Sequence, residues 1–359
     1  MRTIIATIWF ACRRVALLKF LLILGCLSPI DFPVKTRGGQ LVISGQISTI
    51  PDQNLVQLGI TADTERLPFP VSGASVILRD DFGNSFFYTE QFEKPGNYLL
   101  GHVPGMAGRT YFIEVTLDDG NVYRSIPEKM PEATRIDSLY YEVVNEDVVD
   151  GEGIINNEDL INIHTNFSLL PPAHAFIKWT VRETFLLTPT DLPDTFQLRP
   201  PECYIDQNAN PQRVTLFDGS LVSAQSIERQ LVASRIIDWS FLERHYFTVY
   251  QSSITEESYR YWRQIEVLTN QIGSIFDTAP AVPIGNLINA TNPEEKVLGY
   301  FQAANQSFER FFLLPTDLPS PLMIQTCNFN GSLNPADYPS RCFDCINQRN
   351  SSHIRPVWF

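Results

Sequence analysis

The first third of the chain alternates apolar and polar positions in a way that is typical of β-strands. Residues 55–60 place Val56, Leu58 and Ile60 on one face, which is the two-residue period of a half-buried strand. Residues 41–47 are rich in the branched aliphatic side chains that favour extended backbone. Both segments are therefore predicted to be strands.

Turn sequences follow the next apolar runs in this region. The run 71–78 is followed by Asp-Asp-Phe-Gly-Asn at 80–84, and the run 109–117 by Asp-Asp-Gly-Asn at 118–121. Short polar turns rich in Gly and Asn join the strands of β-hairpins. This spacing predicts a small β-sandwich over residues 40–130, of the Ig-like or transthyretin-like kind.

A second β-rich domain is expected over residues 131–315, after a linker that contains Pro127 and Pro131. The strands expected within it are 136–141, 161–164, 176–185, 241–251, 297–301 and 308–314, the last two as a closing pair. Residues 186–240 are poorly periodic, so we expect loops there and a short hairpin around 214–221. The fold class predicted for the whole chain is therefore mainly β.

One amphipathic helix is predicted at 253–272. Ser253 and Glu256 have the spacing of a capping box, in which the two side chains bond to each other's backbone N–H groups. The apolar stripe of this helix contains Tyr261, Trp262, Ile265, Leu268 and Ile272, and Gly273 provides its end. Such stripes normally pack against a core, whereas Tyr259 lies off the centre of the stripe and is the better candidate for a ligand contact.

The composition is that of a globular protein with an acidic surface. Of 359 residues, 44% are hydrophobic and 19% charged, which excludes a disordered chain. The 27 Lys and Arg residues against 40 Asp and Glu residues give a net charge of −13. A surface this acidic repels phosphate groups, so we expect neither nucleic-acid binding nor electrostatic attachment to anionic lipids.

The N-terminus predicts export and lipid attachment. The first 25 residues carry four basic residues and no acid, and the apolar run within them ends in Ile-Leu-Gly-Cys at 23–26. This pattern is typical of a bacterial lipoprotein signal, in which residues 1–25 are removed and Cys26 is acylated, leaving residues 26–39 as a tether. Lys19 interrupts the apolar run and argues against a membrane-spanning helix. An uncleaved anchor and an ordinary secretory signal are the alternatives.

Four further cysteines predict disulfides. Cys203, Cys327, Cys342 and Cys345 form an even set in an oxidising compartment, which is typical of two disulfides with three possible connectivities. A bond between Cys342 and Cys345 would close the small loop of a redox-active pair, so we favour a different partner for each. These bonds would hold the segment 316–359. A four-thiolate zinc site is the alternative, although the usual two closely spaced pairs are missing.

No pattern in the sequence indicates catalysis. There is no Gly-x-Ser-x-Gly, phosphate-binding loop or His-Glu-x-x-His, and the five histidines are scattered singly. The acid-rich stretch 147–159 lacks the regular oxygen spacing of a calcium loop, so an exposed acidic hairpin is expected there. We expect no enzymatic activity, no cofactor and no metal, with an unrecognised hydrolase site as the alternative.

Several short motifs occur in a recognisable order. They are 71–74 (VSGA), 104–111 (PGMAGRTY), 136–141 (IDSLYY), 259–262 (YRYW), 273–277 (GSIFD), 283–286 (PIGN), 298–301 (LGYF) and 342–345 (CFDC). In this order and spacing the chain resembles the lipoproteins of domain of unknown function family 4249 of Bacteroidota.

The resemblance implies an outer-membrane lipoprotein that accompanies a TonB-dependent transporter and captures its ligand or covers its outer mouth. The cell surface is the expected face of the membrane, in preference to the periplasmic face. A structural or adhesive cell-surface lipoprotein is the alternative function. The resemblance implies no particular ligand.

Overall fold

Three β-sheets make up most of the protein, and 51% of the residues lie in strands. The structure is a computed structural model that describes residues 39–62, 68–149, 153–169, 175–187, 202–211, 213–270, 282–319, 331–332, 334–338 and 345–359. The predicted signal, Cys26, Cys327, Cys342 and the predicted helix end at 271–273 lie outside the described residues.

The strands and the helix are named in chain order. The described strands are β1 (Leu41–Ser48), β2 (Leu55–Ile60), β3 (Phe69–Pro70), β4 (Ser75–Asp80), β5 (Ser85–Phe87), β6 (Thr89–Glu90), β7 (Asn97–Leu99), β8 (Thr110–Thr116), β9 (Val122–Ser125), β10 (Glu128–Lys129), β11 (Ile136–Val149), β12 (Ile155–Ser168), β13 (Phe176–Leu187), β14 (Cys203–Asn208), β15 (Thr215–Asp218), β16 (Ser226–Ile236), β17 (His245–Ile254), β18 (Leu287–Asn289), β19 (Phe301–Leu313) and β20 (Ser351–Ser352). The described α-helix, α1, covers Glu256–Asn270.

The largest sheet has eleven strands, and the other two pack against it. Its hydrogen-bonded order is β20-β14-β13-β17-β19-β1-β2-β7-β6, with β15 on β13 and β3 on β2. The second sheet has the order β18-β9-β8-β4-β5 with β10 on β8, and the third is β11-β12-β16. One apolar cluster, with Ile43 and Ile113, lies between the first two sheets, and another, with Ile163 and Phe247, lies between the first and third. The predicted mainly β fold with one helix is confirmed.

The large sheet is continuous because β1 and β19 pair in parallel, with Gly45 opposite Phe301. Just before β19, Gly299 has a φ of +96°, and a Cβ atom there would lie 2.1 Å from the Ile43 carbonyl oxygen. Glycine at this position therefore lets the two segments approach each other. As a result, both predicted domains contribute strands to one sheet, and Gly38–Phe359 forms a single compact unit.

A buried carboxyl group fastens β10 to β19. Glu128 Oε2 accepts a hydrogen bond from the Ala303 backbone N–H at 3.1 Å. Its Oε1 accepts hydrogen bonds from the Thr255 hydroxyl at 3.2 Å and from the Tyr300 hydroxyl. Burial raises the pKa of Glu128 to about 7, although these three hydrogen bonds favour the charged form. This group therefore titrates near neutral pH.

The expected closing pair of strands at 297–301 and 308–314 is wrong, because one strand, β19, begins at Phe301 and continues through 308–313, and residues 297–300 precede it. The residues between them are mostly polar and look like a turn. Their side chains bond inside the protein instead: Gln302 donates to Gln46 at 2.8 Å, and Gln306 donates to Ser252 at 2.9 Å. A strand that contains polar pairs of this kind is not predicted by its hydrophobicity pattern, because its inward-facing residues are polar.

The loops expected over 186–240 are also partly wrong, since β14 and β16 lie there, and β15 pairs with β13 and not within a local hairpin. Two register shifts interrupt the pairing of β16 with β12, and Arg229 within β16 has a φ of 56°. A bulge moves the following side chains to the other face, which removes the two-residue period that identifies a strand.

The helix prediction is confirmed in type, but its start is corrected. Strand β17 continues to Ile254, so Ser253 is a strand residue whose Oγ accepts a hydrogen bond from the Thr134 N–H at 2.9 Å. Thr255 caps the helix, because its hydroxyl accepts the Ser258 N–H at 3.1 Å. No helix within the described ranges has the length and hydropathy needed to cross a membrane.

The exposed acidic hairpin is present where the sequence predicts it. Strands β11 and β12 form a long antiparallel pair around the described ends of the 147–159 stretch. Asn157 donates to Asp147 Oδ1 at 3.0 Å, and Asn145 donates to Asp159 Oδ1 at 2.8 Å. These carboxylates accept hydrogen bonds from amides across the two strands.

Candidate functional site

Three adjoining cavities lie around β13. The large cavity has a volume of about 770 Å³ and the small one about 290 Å³. The third, of about 180 Å³, shares lining residues with both and is called the middle cavity for its position, not its size. Asn208 and Asn210 line both the large and the middle cavity, Lys178 and Trp262 line both the middle and the small one, and Gln57 lines both the large and the small one. We call the three cavities together the polar cleft.

The sheet brings the walls of the large cavity together from distant parts of the sequence. Strand β14 supplies Gln207 and Asn208, β16 supplies Ser234, and the C-terminal segment supplies Asn350. The apolar residues in this wall are small in number: Ala209, Pro211 and Ile236. The cavity therefore offers mainly hydrogen-bonding groups to a ligand.

Four of the five charged side chains that line the large cavity are paired with each other, and the fifth, Arg349, is exposed. Arg182 contacts Asp206 Oδ1 at 2.9 Å, and Arg235 Nε contacts Glu183 Oε2 at 2.8 Å. Arg235 also reaches Asp238 Oδ2 at 3.0 Å. Paired charges hold the walls in place and leave a weak net field in the cavity.

Glu183 lines the large cavity and is buried, with 1% of its surface exposed. Its carboxylate accepts from Gln207 Nε2 at 2.7 Å and from Arg235, and His245 Nε2 lies 3.3 Å away. Burial alone would raise the pKa of Glu183, but the contacts with His245, Arg235 and Gln207 outweigh it and lower the pKa. Glu183 is therefore a fixed anion.

His245 positions this carboxylate and is itself sealed from solvent. Its ring stacks on Phe241 with centroids 3.9 Å apart and on Phe185 at 5.1 Å, and its Nδ1 lies 3.1 Å from the Ser240 carbonyl oxygen. The two aromatic rings and the Ser240 carbonyl fix the imidazole, which lies behind Glu183 and does not line the cavity.

The small cavity is lined by glutamine amides around Trp262. Gln302 Oε1 accepts from Trp262 Nε1 at 2.8 Å and from Lys178 Nζ at 3.2 Å, while Gln302 Nε2 donates to Gln46 Oε1 at 2.8 Å. Gln46 in turn donates to the Gln53 carbonyl at 2.9 Å. This network connects α1, β13, β19 and β1, and fixes the indole at the cavity wall.

Lys178 covers the indole from β13. Its Nζ lies 3.8 Å from the Trp262 ring centroid. Burial lowers the pKa of Lys178 to about 7, and Gln302 Oε1 accepts a hydrogen bond from its Nζ at 3.2 Å. The ammonium is therefore held by two contacts and does not extend freely into the cleft.

Several amides in the cleft have unused hydrogen-bonding capacity. Within the described part of the chain, the side chains of Asn208, Asn210 and Asn350 in the large cavity, and of Gln91 in the small one, make no hydrogen bond. Each amide carries two N–H donors and an acceptor oxygen. These four groups are free to bind a ligand.

A disulfide holds one wall of the large cavity. Cys203 at the start of β14 is bonded to Cys345, with their Cα atoms 5.8 Å apart. Beyond it, β20 pairs with β14, and Arg349 and Asn350 between these two points line the cavity. A four-thiolate zinc site would need both sulfurs as thiolates, so the structure supports the disulfide alternative for this pair. The predicted partners Cys327 and Cys342 lie outside the described residues.

The three aromatic residues of the helix differ in how far they contact the core and the cleft. Tyr259, the expected ligand contact, packs against Phe176 with ring centroids 5.0 Å apart. Trp262, expected to pack in the core, does pack against the cluster of Phe176 and Ile254, but it is half-buried and also lines two cavities of the cleft. Tyr261 does pack, stacked on Tyr300 at 4.8 Å. The sequence does not predict that the cleft amides lie close together, because only the pairing of the strands brings them together. Their alternation with apolar residues is the one pattern that marks them.

Comparison with known proteins identifies the family. A family model described as a domain of unknown function, DUF4249, matches residues 28–310. No curated protein matches the chain. Among solved structures, a two fibronectin type-III domain segment from chicken tenascin is similar at 11% identity, over 60% of this chain and 90% of that chain, with a TM-score of 0.16, which is too low to support any argument. Because the family model spans most of its length, the chain belongs to the DUF4249 family.

Proposed function

We propose that this protein is a non-enzymatic binding protein, anchored in the outer membrane by lipid on Cys26, and that it is an accessory subunit of a TonB-dependent transport system. The expected location is the cell surface. Its task would be to capture a ligand in the polar cleft and to present that ligand to the transporter.

The observation that carries the binding role is the polar cleft itself. Its cavities of about 770 and 290 Å³ fall near the range of about 300–1,000 Å³ in which small-molecule sites occur. Four of its amides, those of Asn208, Asn210, Asn350 and Gln91, are free, whereas its buried carboxylate, Glu183, is occupied by Gln207 and Arg235. A carboxylate saturated in this way is a poor general acid or base, which favours binding over catalysis.

The membrane and transporter parts of the proposal have other support. The basic, apolar N-terminus ending in Ile-Leu-Gly-Cys26 supports lipid attachment. Multiple acyl chains would be needed for stable anchoring, since one chain binds membranes only weakly. The transporter partner is supported by the resemblance to lipoproteins that accompany such transporters.

Co-purification tests this proposal. The full chain with a C-terminal tag is extracted from membranes in mild detergent, captured, and its partners identified by mass spectrometry. We expect a TonB-dependent transporter in the wild-type eluate and its loss from a Cys26→Ser variant, which keeps the cleft but cannot be acylated. A wild-type chain that always elutes alone would refute the transporter role. If deletion then changes cell attachment and leaves nutrient uptake intact, the adhesive alternative is correct.

A further inference from the structure

Building on the proposed binding role, we infer that the polar cleft takes a neutral, hydroxyl-rich ligand of the oligosaccharide class. Three properties of the cleft lead to this class: its free amides, its paired charges, and the indole of Trp262 in its wall.

The free amides match hydroxyl groups. Asn208, Asn210 and Asn350 surround the large cavity, and Gln91 lines the small one. A sugar hydroxyl both donates and accepts, and a side-chain amide offers both functions at one end, so the two pair without either being charged. The residues already bonded, such as Gln207 to Glu183, would hold the wall while the free amides bind.

The charges of the cleft disfavour ionic ligands. Arg182 is neutralised by Asp206 and Arg235 by Glu183, so an anion or a cation would have to compete with an existing ion pair. Arg349 and Arg213 also line the cleft, but both are exposed, where their fields are screened by salt. The net charge of −13 repels polyanions from the protein as a whole. A neutral ligand meets none of these costs.

The indole supplies the apolar surface that a sugar ring needs. The C–H groups of pyranose rings pack on aromatic surface, and Trp262 is held in place by its Nε1 bond to Gln302. Lys178 Nζ covers one face of the ring, so a sugar would contact the part of the indole that Lys178 leaves uncovered. An aromatic wall with a few convergent polar groups is the usual construction of a ligand site. Because Gln57 lines both cavities, a chain of several sugar units could extend from Trp262 into the large cavity.

The test is direct binding to the purified full chain in detergent. A glycan microarray with neutral oligosaccharides of glucose, mannose, galactose and xylose is followed by calorimetry on the best binder, with hexagalacturonate as the anionic probe and hexa-alanine as the peptide probe. We expect binding of at least one neutral oligosaccharide and none of hexagalacturonate or hexa-alanine.

Variants place the binding in the cleft. Asn208→Ala and Asn210→Ala should each weaken binding by about fivefold, the loss of one neutral hydrogen bond, and Trp262→Phe should also weaken it. Gln225→Ala removes an exposed amide outside the cleft and should change nothing. Because Asn208 is exposed and Asn210 makes no side-chain bond, loss of folding is not expected in these variants, and circular dichroism checks it.

The results separate this inference from the proposed function. Failure of every neutral glycan to bind, or preference for hexagalacturonate or hexa-alanine, overturns the ligand class. If Asn208→Ala and Asn210→Ala bind the glycan as strongly as Gln225→Ala does, the assignment of the binding site to the cleft is wrong. Glycan binding by a chain that never co-purifies with a transporter leaves this inference standing and removes the transporter role.

Discussion

Two buried carboxyl groups show how partners decide the charge of a residue. Glu183 lies beside Arg235 at 2.8 Å and its pKa is lowered, despite burial. Glu128 receives its hydrogen bonds from uncharged donors, including Tyr300, and lies near another acid, Glu257, so burial prevails and raises its pKa to about 7. A buried glutamate is therefore a fixed anion at position 183 and a group that titrates near neutral pH at position 128.

Glu128 should make the protein less stable as pH rises. The folded state holds this proton up to about pH 7 and the unfolded chain releases it near its ordinary value of 4.5. The free energy of unfolding should therefore fall between about pH 4.5 and pH 7, by about 3.5 kcal/mol at most, at about 1.4 kcal/mol per pKa unit. Urea denaturation across this range measures it. Glu128→Gln, which stays neutral, should flatten the fall; an unchanged slope in this variant would contradict the assignment.

Arg235 should be far more important to stability than an exposed arginine. Its removal leaves Glu183 buried without its counter-charge, so Arg235→Ala should lower the free energy of unfolding by about 3–5 kcal/mol. Arg260→Ala removes an exposed helix pair with Glu256 and should cost about 0.5 kcal/mol or less. Chemical denaturation compares the two, and equal losses would show that the buried pair has no special role.

At the scale of elements, the Cys203–Cys345 disulfide fixes the start of the C-terminal segment, whose end packs Trp358 and Phe359 against Tyr246. Strand β20 has two residues and pairs with β14 alone. Its neighbour Asn350 nevertheless lines the large cavity. The bond therefore links the stability of the C-terminal segment to the shape of the cleft.

Loss of this disulfide should affect stability and binding together. The Cys203→Ser/Cys345→Ser double variant should be less stable by about 2–4 kcal/mol, since the bond closes a loop of 142 residues. Ligand binding at the cleft should weaken as Asn350 is released. Calorimetry on the variant measures both quantities. A variant that loses stability but binds as well as the wild type would show that the C-terminal wall makes no contribution to the site.

The sequence predicts those elements whose side chains alternate cleanly between an apolar and a polar environment. β1, β2 and β8 were predictable on this basis, because one face of each is buried in apolar surroundings. The hydrophobicity pattern does not predict β19 as one strand, since its first half buries amides such as Gln302. It does not predict β16 either, because bulges break the two-residue period of that strand. The cleft was not predictable at all, because its walls depend on which strands pair.

At the scale of the whole molecule, the parallel pairing of β1 with β19 joins the two halves of the chain. Asn286 strengthens the start of β19, since its side chain both donates to the Phe301 carbonyl at 2.7 Å and accepts the Phe301 N–H at 2.9 Å. Gly285 beside it would clash through a Cβ atom with the Gly299 carbonyl. These residues occupy the PIGN and LGYF motifs, so this junction explains two of the eight motifs that carry the family resemblance.

Gly299→Ala should therefore be strongly destabilising. The new Cβ atom would meet the Ile43 carbonyl, and the φ of +96° is unfavourable for alanine, so a loss of about 3 kcal/mol or more is expected. Gly120→Ala is the matched control, because Gly120 has a φ of +85° but nothing within 4 Å of its Cβ position, and about 1–2 kcal/mol should be lost there. Thermal unfolding ranks the two. Similar losses would mean that close approach at the junction is unimportant.

The interior position of β1 has a mechanical consequence. β1 is hydrogen-bonded to β2 on one edge and to β19 on the other. A pull transmitted along the chain from the N-terminal side would load β1 lengthwise, and the bonds on both edges would have to shear at once instead of unzipping one by one. If the protein is tethered at Cys26, it can resist drag at the membrane without unfolding from its attachment point.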